Sequence, residues 1–393
     1  MQGKVKRFSR FVNNKFDFML CMVVFILLAL GIVMVLSASA PSALAESGKT
    51  YTYASRQLLA AILGTVIMFI ISKIDYRFYK KFYWPAYFVS TGILLLVLVP
   101  GLGIDANNAT RWIQIPIFGQ FQPSELSKIG LIIFFAGYLA YHQDEMKSFW
   151  KGFVKPLCFL IPPVAILFFV QNHLSVSIVI GAVACIMIIM AGARLLYFIA
   201  SGAVAGVVGV IGFIVLQATG KGGFRIERMI SFLDPWEDAT GVGWQAVQSL
   251  YAIGSGGLFG VGLGESKQKY LYIPEPHNDF IFSILAEELG FVGCVIVIIL
   301  FGIFIWRGTL ISMKAPDMFG SLLAIGITSL IGIQAIINIG VVTSSIPNTG
   351  MPLPFFSYGG TALVVLLASV RNLAKYISSE LESIEGLRVS YKL

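Results

Sequence analysis

The chain has 393 residues, 57% of them hydrophobic and only 12% charged, with a formal net charge of +8. Soluble domains carry about a quarter charged residues, and a single soluble core stops growing at about 250–300 residues, so a water-soluble globule is excluded. The Lys and Arg residues sit mostly in short loops between apolar runs, where membrane orientation accounts for them and nucleic-acid binding is not implied.

Ten apolar runs follow one another at 18–40, 57–72, 85–100, 124–141, 156–171, 174–191, 196–216, 280–306, 317–342 and 358–376. Each is near the ~20 residues that cross ~30 Å of hydrocarbon. They predict an all-α integral membrane protein of about ten transmembrane helices in one polytopic domain, 1–393. A long extracellular loop, 217–279, joins helices 7 and 8, and 377–393 forms a cytoplasmic tail. Ser42–Ala45 has the small residues of a cleavage site, but the run before it is too long for a signal core and reads as a retained span.

Basic clusters recur at alternate loops: the N-terminus, Lys73–Lys81, Lys147–Lys155, Arg194, and Arg307 with Lys314. The positive-inside rule places these, and both termini, in the cytoplasm. Loops 101–123, 217–279 and 343–357 then face outward. Cys21, Cys158, Cys185 and Cys294 lie scattered inside apolar runs, as buried free thiols do.

The polar residues concentrate in a few motifs. Ala109–Ile113 holds Arg111 and Trp112: an interfacial Trp is an ordinary membrane anchor, and the Arg is able to hold a phosphate. In Gln122–Lys128, Pro123 marks a helix start, and Lys128 lies a turn inside an apolar helix. Glu125, three residues earlier, is placed to pair with it. The glycine run 254–264 fits neither a Walker A motif nor a dinucleotide fingerprint and reads as a tightly turning loop.

Pro274–Phe282 is the sharpest feature. Asp279 is either the cap of the eighth span or a carboxylate whose proton affinity the flanking Phe280, Ile281 and Phe282 raise. Glu287 and Glu288 follow about 12–14 Å further along that helix. Either the helix starts above the bilayer or the two acids face a polar cavity, and the cavity reading is preferred because acids facing lipid cost several kcal/mol. The Pro- and Gly-rich segment 347–360 is expected to line the same cavity, because non-helical backbone at that depth must be buried in protein or face a cavity.

These blocks together resemble the SEDS family (shape, elongation, division, sporulation), the group that contains FtsW, RodA and SpoVE. The resemblance rests on Ala38-Ser39-Ala40, ATRWI at 109–113, QPSELSK at 122–128, RIERMISFLDPWED at 225–238, GWQAVQSLYAIGSGGLFGVGLGESKQK at 243–269, IPEPHNDFIF at 273–282, AEELG at 286–290 and PNTGMPLPFFSYGG at 347–360. GLGESKQK is nearer the FtsW and SpoVE branches, whereas PLPFFSYGG leans toward the elongation branch. One departure stands out: where the family usually has Gln-Pro-Asp-Leu-Gly, this chain has Gln171-Asn172-His173-Leu174-Ser175, so His173 replaces an acid.

The resemblance implies an enzyme that polymerises lipid II, a disaccharide-peptide on a polyprenyl pyrophosphate, into peptidoglycan at the outer face of the bacterial plasma membrane. It implies Asp279 as the essential carboxylate and ties Arg111, Trp112, Glu125 and Lys128 to activity. It further implies a monofunctional class B penicillin-binding protein and other divisome proteins as partners, and a divalent metal (Mg or Mn) with no ligand set named. The expected mechanism is inverting glycosyl transfer with Asp279 as general base. Arg111, Lys128, Arg225, Arg228, Lys267 and Lys269 are expected to meet the leaving pyrophosphate, and His277, Glu287 and Glu288 to join the substrate site. A flippase for the lipid-linked precursor is the alternative, to be recognised by helices broken near the midplane and by related halves. A pure scaffold gains nothing from ionisable residues sunk into spans.

Overall fold

The computed structural model describes residues 17–374 apart from 107–108, 116–118, 219–231, 233, 242 and 271. Asp17 opens the first helix: its carboxylate accepts the Leu20 N–H at 2.9 Å, filling a donor that a helix start leaves open. Helix α1 runs Phe18–Ser47, straight through Pro41, and ends at Gly48 in the left-handed region (φ 68°). It is therefore longer than the run 18–40, because Ser42–Ser47 continue the helix beyond the apolar stretch.

The chain continues through α2 (Thr52–Ile71), a short α3 (Arg77–Lys81) and α4 (Tyr83–Ile93), which tightens into a 3₁₀ turn at Leu94–Leu98. After a small sheet come α5 (Pro123–Tyr141), α6 (Phe149–Val170), α7 (Leu174–Met190) and α8 (Leu195–Ala218). Then follow α9 (Trp244–Gly256), α10 (Ile281–Met313), α11 (Met318–Val342) and α12 (Gly360–Ala374). Among the described residues seven helices are long and apolar enough to cross a membrane, and α4, α7 and α12 are shorter apolar helices. The seven candidate spans give the helical, multi-pass architecture expected from the hydropathy pattern, and the three shorter helices coincide with three more of the apolar runs. Pro156, Pro162 and Pro163 remove backbone donors from α6, which is irregular along its length.

Helices α5 and α11 form the centre. Phe134, Phe135, Tyr138, Phe319, Leu322 and Leu323 are fully enclosed there. α12 packs against α2, α4 against α5, and α10 against both α1 and α11. The exterior is covered with Leu, Ile, Val and Phe, as on Leu196, Val207, Ile211 and Phe169, a surface suited to lipid rather than water. Cys158 is on that exterior, contrary to its expected burial, and all four thiols are free.

Two elements escaped the hydropathy reading because neither is strongly apolar. One is the antiparallel sheet β1 (Gly103–Ala106), β2 (Ala109–Ile115) and β3 (Gly119–Phe121), with Ile104 opposite Trp112 and Ile113 opposite Phe121. The other is α9, inside the long loop, lying against α10.

Helix α10 is broken at Gly290 (φ 67°, ψ −167°). The glycine-rich segment after α9 fills the break. Val261 and Gly262 donate to the carbonyls of Glu287 and Glu288 (2.9 and 3.1 Å), and Phe291 and Val292 donate to those of Gly257 and Leu258 (2.9 and 3.1 Å). Gly260 has φ +82°, and a Cβ there would lie 2.1 Å from the Glu288 carbonyl oxygen. Gly260→Ala should therefore lose about 1–3 kcal/mol for the backbone conformation alone, with the steric clash added, and thermal unfolding in detergent measures it.

An ion pair and a hydrogen bond tie α1 and its cap to α10 at two heights. Asp17 accepts from Arg307 Nη2 at 2.5 Å, and Ser37 donates to Glu288 at 2.6 Å. Asp17 and Ser37 are about 30 Å apart along α1, close to the hydrocarbon thickness.

Candidate functional site

The sequence-selected residues fall into two groups. The first surrounds Asp279. Segment 272–280 leads into α10, with Glu275 in the left-handed region (φ 47°) and Asn278 donating to its carboxylate at 2.6 Å. Asp279 follows, half-buried, beside segment 347–359: a Cβ on Gly350 would stand 3.1 Å from Asp279 Oδ2, so the glycine leaves room for the carboxylate. Asn338, enclosed in α11, joins the two segments, since its Nδ2 reaches both the Asp279 and Met351 carbonyls at 2.7 Å. Further bonds run from Tyr358 N–H to the His277 carbonyl (2.9 Å) and from Ser357 Oγ to the Asn278 carbonyl (2.8 Å). Gln57 of α2 donates to the Ser357 carbonyl at 3.1 Å.

His277 is enclosed between Tyr53 and Tyr358, with ring centroids 4.6 and 5.7 Å away. Burial lowers its pKa, opposed by Glu275 and Glu46. The neutral imidazole is thereby favoured, as part of the wall beside Asp279.

Segment 347–359 also reaches α7 and α9. Ser175 Oγ donates to the Thr349 carbonyl, and Asn348 donates to Gln245 at 2.9 Å. Ser175 follows the turn that carries His173. Arg111, projecting from β2, holds that turn: its Nε donates to the Gln171 carbonyl (3.2 Å) and an Nη to that of Asn172 (2.7 Å). Asn172 is left-handed (φ 49°), a conformation that asparagine tolerates better than most residues. The same strand carries Trp112, partly covered. In α5, Lys128 is 2% exposed and pairs with Glu125 at 2.8 Å, as the spacing predicted. Lys128 lines a cavity of about 10 Å³ between α5, α7 and α11, at the lower limit for one water and far too small for a sugar.

His173 stands where the resemblance leads one to expect an acid. Its Nε2 accepts the Gln122 amide at 3.0 Å, so in the neutral ring Nδ1 carries the proton. Burial first, then Arg111 and Lys128, depress its pKa to about 3. The ring stays neutral, and the surrounding cations are not offset at this position. An imidazole protonated in the unfolded chain and neutral in the folded one costs stability below the unfolded pKa of about 6.5. Relative to His173→Gln, the protein should lose about 1.4 kcal/mol per pH unit as pH falls from about 6.5 toward 3, measurable by denaturation at pH 7 and pH 5.

The second group lies at the α10 break. Glu287 and Glu288 are buried, and instead of opening onto a cavity for substrate their carboxylates are taken up by residues 266–269. Glu287 accepts from Ser266 Oγ and from the N–H groups of Lys267 (2.9 Å) and Gln268 (3.3 Å). Glu288 takes Ser37 and, at 2.9 Å, Lys269 Nζ, which is 3% exposed and also donates to Ser37 Oγ and the Gly264 carbonyl. Lys269 therefore uses its three donors inside the protein. Lys267 is exposed, and it is its backbone N–H that bonds Glu287. Arg225 and Arg228 lie outside the described residues. Among the described residues no three His, Cys, Asp or Glu side chains converge.

Asn338 and Gln57 were missed by the motif reading. Their signal was present, as side-chain amides in predominantly apolar helices, a placement that costs energy unless the amide is bonded.

Comparison with known proteins agrees along the length of the chain. Residues 17–381 match the FtsW/RodA/SpoVE family, described as cell cycle protein. Stage V sporulation protein E of Bacillus subtilis (strain 168) is 42% identical over 354 residues, 90% of this chain and 94% of that protein. A probable peptidoglycan glycosyltransferase FtsW of Geobacter sp. (strain M18) is 40% identical over 355 residues, 90% of this chain and 95% of that one. Among solved structures, one chain of a peptidoglycan synthase complex, described under the structural coordination of polymerization and crosslinking, superposes with a TM-score of 0.74 at 28% identity, covering 93% of this chain and 99% of that chain. With the helical multi-pass fold and the two site segments joined at Asn338, these matches establish that the chain is a multi-pass membrane protein belonging to the FtsW/RodA/SpoVE family.

Proposed function

We propose that the protein is a peptidoglycan glycosyltransferase of the plasma membrane that polymerises lipid II at the outer face. The observation that carries this reading is the half-buried Asp279 carboxylate at the junction of segments 272–280 and 347–359, beside Gly350. The 4-hydroxyl of one sugar attacks the anomeric carbon of a second, lipid-linked sugar. Its proton passes to Asp279, and the polyprenyl pyrophosphate leaves with the electrons of the broken C–O bond. A positioned base of this kind contributes typically 10²–10⁴-fold. Lys267, Arg225 and Arg228 are the cations assigned to the pyrophosphate, and Lys128 joins them only if its enclosed pair with Glu125 opens. Arg111 supports them by holding the α6–α7 turn, and Lys269 is committed to Glu288.

Orientation follows the basic loops, which put the Asp17–Arg307 end at the cytoplasm and Asp279 outside. The relative in a synthase complex supports a transpeptidase partner of the class B penicillin-binding type, in division or sporulation. The flippase reading gains one feature, the broken α10. That break is about 26 Å from Arg307 along the helix, at the outer edge rather than the midplane where transporters bind substrate, so polymerisation is favoured. Purified full-length protein with lipid II, with and without the transpeptidase and divalent metal, should yield glycan chains. Translocation of lipid II between leaflets without polymer would overturn the proposal.

A further inference from the structure

We infer that Lys269, Glu287 and Glu288 act as a clasp that positions Asp279, rather than as contacts to substrate. The inference rests on the reading of Asp279 as the base. Gly290 separates residues 281–289 from the rest of α10, so the long lower helix does not set the direction of the upper segment. What fixes the lower end of that segment is the loop after α9. Glu287 gathers Ser266 and two backbone N–H groups, and Glu288 gathers Lys269 and Ser37. Four backbone hydrogen bonds between 257–262 and 287–292 run beside them.

Asp279 lies on the stretch of chain between the two halves of this clasp. Lys269 precedes it and Glu288 follows it, and their ion pair at 2.9 Å closes residues 270–287 into a loop. The loop has a second anchor where Ser249 Oγ meets Ser283 Oγ (2.8 Å) and the Val342 carbonyl (2.6 Å). From Glu288 to Asp279 the lever is about 13 Å. A tilt of about 5° at the clasp moves the carboxylate by about 1 Å, a misplacement that can cost 10²-fold in rate. A buried carboxylate and ammonium with all their partners inside the protein have no capacity left for a substrate phosphate. Their hydrogen bonds instead set an angle.

The test uses full-length protein in nanodiscs. Glu287→Ala and Glu288→Gln should each lower the lipid II turnover number about 10–100-fold while KM changes less than about 3-fold. Hydrogen exchange in 257–289 should accelerate in both variants, with exchange in α5 and α11 unchanged. The double variant Lys269→Met/Glu288→Met should recover turnover relative to either single change, because no bare charge remains. A rise in KM at unchanged turnover, or loss of turnover without faster exchange in 257–289, would overturn the clasp and make these residues substrate contacts. Global acceleration of exchange in Glu287→Ala would also count against it, and Glu288→Gln then serves as the milder probe. Failure of the base reading is separable: Asp279→Asn would retain near-normal turnover while the exchange response of the clasp variants stood unchanged.

Discussion

Replacing Asp279 by Asn should reduce glycan output from lipid II by about 10²–10⁴-fold, the share a positioned general base contributes. The substitution keeps the shape of the side chain and its space against Gly350. It also leaves the bond between Asn338 and the Asp279 main-chain carbonyl in place, so folding should be preserved and the loss should appear in turnover. Near-normal output from a variant with wild-type thermal stability would remove Asp279 from the role. Asp279→Glu is the informative companion. It retains the acid but moves the carboxylate by about 1 Å, so an intermediate loss is expected.

The second large effect is expected at Lys128. Lys128→Ala leaves Glu125 without its partner in a site that admits little water, and breaking a buried pair in this way costs about 3–5 kcal/mol. Thermal unfolding should register the loss. The double change Glu125→Leu/Lys128→Met should recover much of the stability, since apolar residues of similar volume commonly replace buried pairs at little cost. Polymerisation should stay low in both variants, because the ammonium proposed to meet the pyrophosphate is absent from each. Full activity in the stable double variant would show that the pair serves only to hold α5.

The spans were legible because each is a sustained apolar run of sixteen or more residues, and lipid forces every such run into a helix. The Lys128–Glu125 pair was legible for a similar reason: a charge in an apolar helix needs a neighbour at helical spacing. What escaped was whatever depends on packing between distant segments. The glycine run read as a turning loop, and nothing local tells that Gly260 lies against Glu288. The burial of Glu287 and Glu288 was expected to face a cavity, because the sequence does not reveal that residues 261–270 fold back over them. Lys269 looked like an available cation for the same reason. Arg111 looked like an anion ligand, whereas two of its donors hold main-chain carbonyls of a turn some sixty residues later. His173 was visible as a changed residue, but its neutral state arises from enclosure that only the tertiary structure supplies.

The double attachment of α1 to α10 bears on how the protein is made. Asp17 and Ser37 leave the ribosome before their partners, Arg307 and Glu288, which are synthesised some 250–290 residues later. Residues near the start of the chain must therefore wait in the bilayer, their polar groups served by water or lipid head groups, until the third-last span is threaded. Docking of the first helix is consequently a late event of biogenesis, and a nascent chain stalled before α10 would be a natural substrate for membrane quality-control proteases.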